Sequence, residues 1–268
     1  MRSLAVMNQK GGVGKTTTAV NLSAAWARTG LRVCLVDLDP QAHASLHFPL
    51  DPGPDQPSIY EVLAGKVHLS DVRRQVSENL WVVGSSLDLA AAEVELAGVV
   101  GRELILRDKL REDPQEVDYL VIDCPPSLGI LTLNALAAAC EVLIPLQPHF
   151  LALHGLGRLL ETIGLVAARL NDRLRVRGVI FCMYDTGTRL AVEVSQDVAA
   201  FFSNARGRQS PWADAQVFQT RIRRNIRLAE APSFGQTIFQ YAPDSHGADD
   251  YQRLAEEIHQ SSEPQTLV

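Results

Sequence analysis

Several features are missing from this chain, and each absence removes a class of function. No apolar run approaches the roughly 18 residues that a membrane-spanning helix needs, and mean hydropathy lies near zero. The apolar part of the opening "MRSLAVMNQKGG" is too short for a secretory leader, so a cytoplasmic protein is expected. Cysteine is sparse. Cys34, Cys124, Cys140 and Cys182 sit singly in the apolar runs "VCLVD", "VIDCPP", "AAACEVL" and "IFCMY", with no Cys-x-x-Cys pair. That rules out a Cys-x-x-Cys metal or redox motif and reads as small buried side chains in a reducing compartment, with an iron–sulfur ligand shared between subunits as the alternative. There is no excess of positive charge either. The formal net charge is −6, so the chain as a whole does not attract nucleic acid, although a local basic patch stays open. Internal repeats, low-complexity tracts and a tyrosine-rich tail are also missing. Lysine is rare: the sequence has four, and two of them, Lys10 and Lys15, lie in one short stretch.

What remains is a chain of 268 residues with 46% hydrophobic content, enough for a sizeable core. Short β-rich runs alternate with helical patterns. Strands are expected at 3–7, 32–37, 79–85, 117–123, 141–147 and 175–184. Helices are expected at 15–29, 58–65, 87–111, 130–139, 155–171, 188–203 and 247–260, with a proline-rich surface loop at 49–57 and a short helix within 221–235. "RVCLVD" is apolar almost without interruption, as a parallel strand buried on both faces should be. The alternation predicts an α/β fold, a mostly parallel twisted sheet with helices on both faces. The whole chain, 1–268, is read as one ATPase domain, with 261–268 as a frayed tail. Ligands of such sheets bind beyond the carboxyl ends of the strands.

The chemistry-bearing residues fall there. "KGGVGKTT" follows the first strand. Gly14, Lys15 and Thr16 fit the end of a phosphate-binding loop, while the position for its usual first glycine holds Gln9. Gly11, Gly12 and Gly14 let backbone N–H groups from Lys10 through Val13 and on to Thr17 converge on an anion, and the next helix adds its N-terminal dipole. Lys15 is expected on the β- and γ-phosphates of ATP, the Thr16 hydroxyl on Mg²⁺, and Thr17 near the α-phosphate. "YLVIDCPP" delivers Asp123 at a strand end, where a carboxylate holds the metal's water. "LVDLDPQ" supplies Asp37, expected near the metal, and Asp39, expected to position or deprotonate the attacking water. A turn former or helix cap is the plainer role for each aspartate. These parts make a P-loop NTPase.

Lys15 already fills the phosphate cradle, so Lys10 needs another role. A cation at the loop's start could reach a γ-phosphate held by a second subunit and stabilise transferring charge in trans. The plainer role is a solvated loop lysine. Near the C-terminus, "RIRRNIR" gathers Arg221, Arg223, Arg224 and Arg227, with Arg206 and Arg208 upstream and Arg189 opening a helix. Such a run is either a solvated basic loop or a set of phosphate contacts, doubled in a dimer.

With "NQKGGVGKTTTAVNLSAAWA", "RVCLVDLDPQ", "YLVIDCPPSLGILTLNAL", "VLIPLQ", "RNIRLAEAPSFGQTI" and "GADDYQRLAEEI" in view, the chain resembles the ParA/Soj family of partition ATPases. That family sits in the deviant Walker A group beside MinD-like ATPases. The resemblance implies a weak ATPase that forms an ATP-bound sandwich homodimer, coats double-stranded DNA without sequence preference, and is released when a ParB-like partner stimulates hydrolysis. It implies a nucleoid-associated cytoplasmic protein with no membrane contact. It makes Lys10 the signature interface lysine and sets Asn225 in a loop near the base. The same engine positioning a protein cargo, or a MinD-like membrane ATPase, is the alternative. The MinD-like form wants a basic amphipathic C-terminal helix, whereas 252–268 is acidic. Departures from the family include Gly187 where an arginine is common, Arg223 where proline is common, and His149 and His154 where acidic residues are common. The two histidines read as surface or partner-facing. Operator-specific repression is not expected, since no helix-turn-helix precedes the first strand.

Overall fold

The computed structural model describes residues 1–50, 56–150 and 152–261. Part of the proline-rich loop and nearly all of the expected C-terminal tail lie outside the described residues. The chain runs β1 (Arg2–Val6), α1 (Lys15–Arg28), β2 (Val33–Asp37), α2 (Ile59–Leu63), α3 (Leu69–Val72), β3 (Arg73–Ser77), β4 (Leu80–Val83), α4 (Leu89–Glu95) and α5 (Ile105–Glu112). It continues through β5 (Tyr119–Asp123), α6 (Ile130–Ala138), β6 (Glu141–Leu146), α7 (Ala152–Arg169), β7 (Arg175–Phe181), α8 (Arg189–Ala205), β8 (Gln216–Val217), α9 (Ile226–Glu230), α10 (Ile238–Tyr241) and α11 (His246–Gln260).

The eight strands form one sheet in the order β3-β4-β2-β5-β1-β6-β7-β8. All neighbours are parallel except β3 and β4. Side chains alternate across the central strands, as the period of two requires. Ala5, Cys34, Val36, Leu120 and Ile122 face a layer built from α2, α4, α5, α6, α7 and α8. Leu4, Val6, Leu35, Val121 and Ile180 face α1 and α11. These strands are apolar throughout because both faces are covered. Among the described residues, no helix is long and apolar enough to cross a membrane.

The expected continuous helix over 87–111 is broken. It ends at Glu95, passes through 3₁₀ turns at Leu96–Gly98 and Arg102–Leu104, and restarts at Ile105. Gly101 adopts φ 73°, a left-handed turn that stops a helix. Asn134 of α6 fixes the break from outside. Its Oδ1 accepts from Leu106 N–H at 2.9 Å and its Nδ2 donates to Arg102 C=O at 2.7 Å. The sequence pattern also gives no sign of β3, whose "RRQVS" is polar because it is an edge strand. Nor does it show α3 and α10, each a single turn.

The helix α11 docks on α1. Trp26 Nε1 donates to Ala255 C=O at 2.9 Å and stacks on Tyr119 with ring centroids 4.2 Å apart. Tyr251, Leu254, Ala255 and Ile258 are buried there. The apolar stripe of this helix is therefore covered by its own protein.

Candidate functional site

Register places the catalytic candidates before any side-chain argument is needed. Val6, Asp123 and Asp37 are aligned Cα partners at the carboxyl ends of β1, β5 and β2. Parallel neighbours lie about 4.8 Å apart with side chains in phase, so the two carboxylates stand side by side above the sheet. The chain leaving β1 must turn back over this point. Gly12 at φ 70° and Gly14 at φ 91° make that turn in the left-handed region, where a side chain is strained.

The loop is braced by a residue that sequence reasoning overlooks. Asn8 Nδ2 donates to Pro145 C=O at 2.7 Å, and its Oδ1 accepts from Lys10 N–H at 3.0 Å. Cys182 supports the loop from below, since a Cβ on Gly14 would lie 3.5 Å from Cys182 Cβ. The helix α1 starts immediately after, with no acidic residue in its first turn and no side-chain cap. Its N-terminal amides are thus left for an anion.

Lys15 is 7% exposed, and its Nζ donates to Lys10 C=O at 3.2 Å. Burial lowers its pKa, opposed by the charges of Asp123, Asp39 and Cys124. Asp123 is fully buried, and neither carboxylate oxygen has a hydrogen-bond partner among the described residues. Burial and then the charge of Asp37 push its pKa well up; the Thr16 hydroxyl, near but not in bonding geometry, and Lys15 oppose the rise. A buried carboxylate without a partner is costly, and a hydrated cation beside Thr16 would satisfy it. The donor set fits Mg²⁺: one hydroxyl and nearby carboxylates, all hard oxygen ligands. Among the described residues there is no cluster of three His, Cys, Asp or Glu side chains that would cage a metal by themselves.

Asp37 is placed differently. Its Oδ2 accepts from Ser45 N–H at 2.8 Å and Ser45 Oγ at 2.7 Å, and its Oδ1 accepts from Asp39 N–H at 3.2 Å. Burial raises its pKa to about 6. The carboxylate is committed to holding the loop that carries Asp39, a role that spacing alone does not reveal. Asp39 itself is 7% exposed, and its Oδ1 accepts from Gln41 N–H at 2.9 Å.

Lys10 lies on the outside of the loop and is exposed. Its Nζ donates to His149 Nε2 at 2.7 Å. Burial and then Lys10 lower the pKa of His149. The sequence points His149 only toward the surface or a partner; in the fold it holds the second lysine.

The arginines divide. Arg221 lies over the Tyr184 ring, 4.3 Å from its centroid. Arg224 is exposed, and its backbone N–H donates to Tyr184 C=O at 3.4 Å. Arg227 pairs with Glu230 at 2.8 Å and Arg189 with Glu193 at 2.9 Å, both at the surface. Arg223 turns inward onto Asp250 at 2.6 Å. Asn225 caps α9, its Oδ1 accepting from Arg227 N–H at 2.9 Å, so that oxygen is engaged locally. The segment carrying it runs beside the end of β7, where Ile222 N–H donates to Phe181 C=O at 2.8 Å.

A family model described as an AAA domain matches residues 1–176. The chain is 46% identical to the chromosome-partitioning ATPase Soj of Treponema pallidum over 258 residues, 96% of each chain. It is 42% identical to the chromosome partitioning protein ParA of Myxococcus xanthus over 266 residues, 99% of this chain and 90% of that protein. A solved structure of Mycobacterium smegmatis, named cobyrinic acid a,c-diamide synthase with bound ATP analogue and magnesium, superposes with a TM-score of 0.79. It is 36% identical and covers 96% of this chain and 93% of that one.

Proposed function

The chain belongs to the Soj/ParA family of chromosome-partitioning ATPases, and from that premise we propose that it is an ATP- and Mg²⁺-dependent partition ATPase whose ATP-bound homodimer binds double-stranded DNA without sequence preference. A ParB-like partner stimulates hydrolysis and releases the protein, which cycles between cytoplasm and nucleoid. The observation that carries this reading is the division between two lysines on one loop. Lys15 points inward beneath the loop, and Lys10 stands outside it. One cation serves the nucleotide of its own chain, and the other is available to a second copy.

Backbone amides from Gly11 to Thr17, at the loop and the start of α1, cradle the phosphates. Lys15 offsets the charge on the β- and γ-oxygens. Thr16 would hold Mg²⁺ directly and Asp123 would hold it through water; the ion would neutralise charge developing on the phosphates. Asp39, kept in place by Asp37 through the turn at Ser45, orients the attacking water. Lys10 must leave His149 to cross the dimer interface. The Mycobacterium neighbour's bound ATP analogue and magnesium support the choice of ligand; its name denotes another reaction, and only nucleotide and metal carry over. The covered stripe of α11 favours DNA over a lipid surface as the substrate of this cycle.

Fluorescence anisotropy of a random-sequence duplex, titrated with ATP–Mg²⁺, ADP–Mg²⁺ or no nucleotide, tests the reading. Salt-sensitive binding is expected only with ATP, weakened at least about tenfold by Lys10→Ala, which removes a charge-assisted hydrogen bond at the interface. Equal binding in all three states would remove the nucleotide-gated dimer. Arg224→Glu is expected to weaken duplex binding. The slope of log affinity against log salt should also fall, by about 0.9 for each phosphate no longer neutralised. Sedimentation should still show the ATP-dependent dimer; a monomer in its place would assign Arg224 to the subunit interface instead.

A further inference from the structure

Two carboxylates on α11 grip the arginine-bearing segment from one side. Glu257 Oε1 accepts from Gln219 N–H at 2.7 Å, and its Oε2 accepts from Thr220 N–H at 2.9 Å. Asp250 is 4% exposed and receives the far end of the segment. Its Oδ2 accepts from Arg223 N–H at 2.9 Å and Arg223 Nε at 3.1 Å; its Oδ1 accepts from Nε at 3.0 Å and Nη2 at 2.6 Å. Asp249 also accepts from Nη2, at 3.4 Å. Asp250 and Glu257 stand two turns apart on one face, about 10 Å along the helix axis. Thr220 to Arg223 is three extended residues, also about 10 Å. The spacings match, so the helix acts as a ruler for the segment. Ile222 is buried beneath it, and Tyr184 and Arg223 form a parallel bridge.

We propose that Arg223 is an internal strut, a positioning residue that ties the segment 219–224 to α11 and thereby presents Arg221 and Arg224, and that it is not itself a DNA contact. The charge balance agrees. Arg253 pairs with Asp249 at 3.0 Å, so two arginines and two aspartates sum to zero and offer no net attraction to phosphate. A guanidinium already held through three bonds to one buried carboxylate would have to break them to reach DNA. The adjoining face of the same helix is fastened to the helix that leaves the phosphate loop, through Tyr251 OH and Thr18 Oγ1 at 3.1 Å and through the Trp26 bond to Ala255 C=O. One rigid element therefore fixes the arginine segment relative to the nucleotide. This inference rests on the reading that the segment meets DNA.

The test uses the full chain carrying Asp250→Asn, with two readouts. Amide hydrogen exchange within 219–224 is expected to accelerate, and ATP-dependent duplex affinity is expected to fall about threefold, the scale of a partly exposed ion pair. The sign is decisive, because removing an acid from a DNA-facing surface would otherwise strengthen binding. Unchanged exchange, or tighter duplex binding, would overturn the strut. Arg223→Gln should weaken binding with the salt slope unchanged; a slope lower by about 0.9 would make Arg223 a phosphate ligand. If Asp250→Asn also abolished ATP binding, Glu257→Gln would decide by the same two readouts and the same signs. If the wild type bound no duplex in any nucleotide state, the DNA reading would fall, while the exchange measurement would still judge the strut.

Discussion

Replacing Lys15 by alanine is expected to cut ATP affinity by more than about a hundredfold, since two charge-assisted hydrogen bonds at roughly 1.5–3 kcal/mol each disappear together. The geometry explains why nothing nearby can substitute. The ammonium is almost completely buried, and its hydrogen bond goes to a carbonyl of its own loop, Lys10 C=O. Burial lowers its pKa, opposed first by Asp123 and then by Asp39. A buried cation with spare donors is suited to binding an anion. Lys10 starts on the loop's outer side, bonded to His149, and cannot take over. Titration of a fluorescent ATP analogue measures the effect; affinity within about threefold of wild type would mean that the loop amides alone bind the phosphates. Thermal unfolding without nucleotide serves as the control for fold.

Asp39→Ala separates binding from chemistry. ATP affinity is expected to stay close to wild type, while hydrolysis falls by about 10²–10⁴, the range for losing a positioned base. The duplex-bound state should then persist after partner addition. Asp39 lies just beyond β2, and its Oδ1 is held by Gln41 N–H. Its Oδ2 has no protein donor among the described hydrogen bonds and is the oxygen that could meet water. The substitution also removes a turn bond worth about 1 kcal/mol, so Tm should drop by a few degrees without loss of folding. Wild-type turnover in this variant would assign the water to another group. Asp37→Ala makes a useful contrast: it frees Ser45 and the whole turn, and so should impair nucleotide-dependent steps more broadly.

The phosphate loop and its flanking strands are legible in the sequence because their causes are local. Left-handed turns call for glycine at positions 12 and 14, and a parallel strand covered on both faces calls for an unbroken apolar run, as in "VCLVD" and "YLVID". The break within 87–111 is not legible. Its two glycines only weaken a helix, and the stop is completed by Asn134, which arrives from another helix. The polar edge strand β3 has no alternating pattern to betray it, because an edge needs none.

The sequence by itself determined the fold class and the family, and it named the candidate nucleotide residues, since each depends on residue type over a few neighbouring positions. The tertiary structure decided which charges are free to act. Asp37 is held by Ser45, Lys10 by His149, and Arg223 by Asp250, partners 8, 139 and 27 residues away in the chain. A charge is neutralised by whatever lies within a few ångströms of it, and in an α/β sheet that neighbour is set by strand order and helix docking rather than by distance along the sequence.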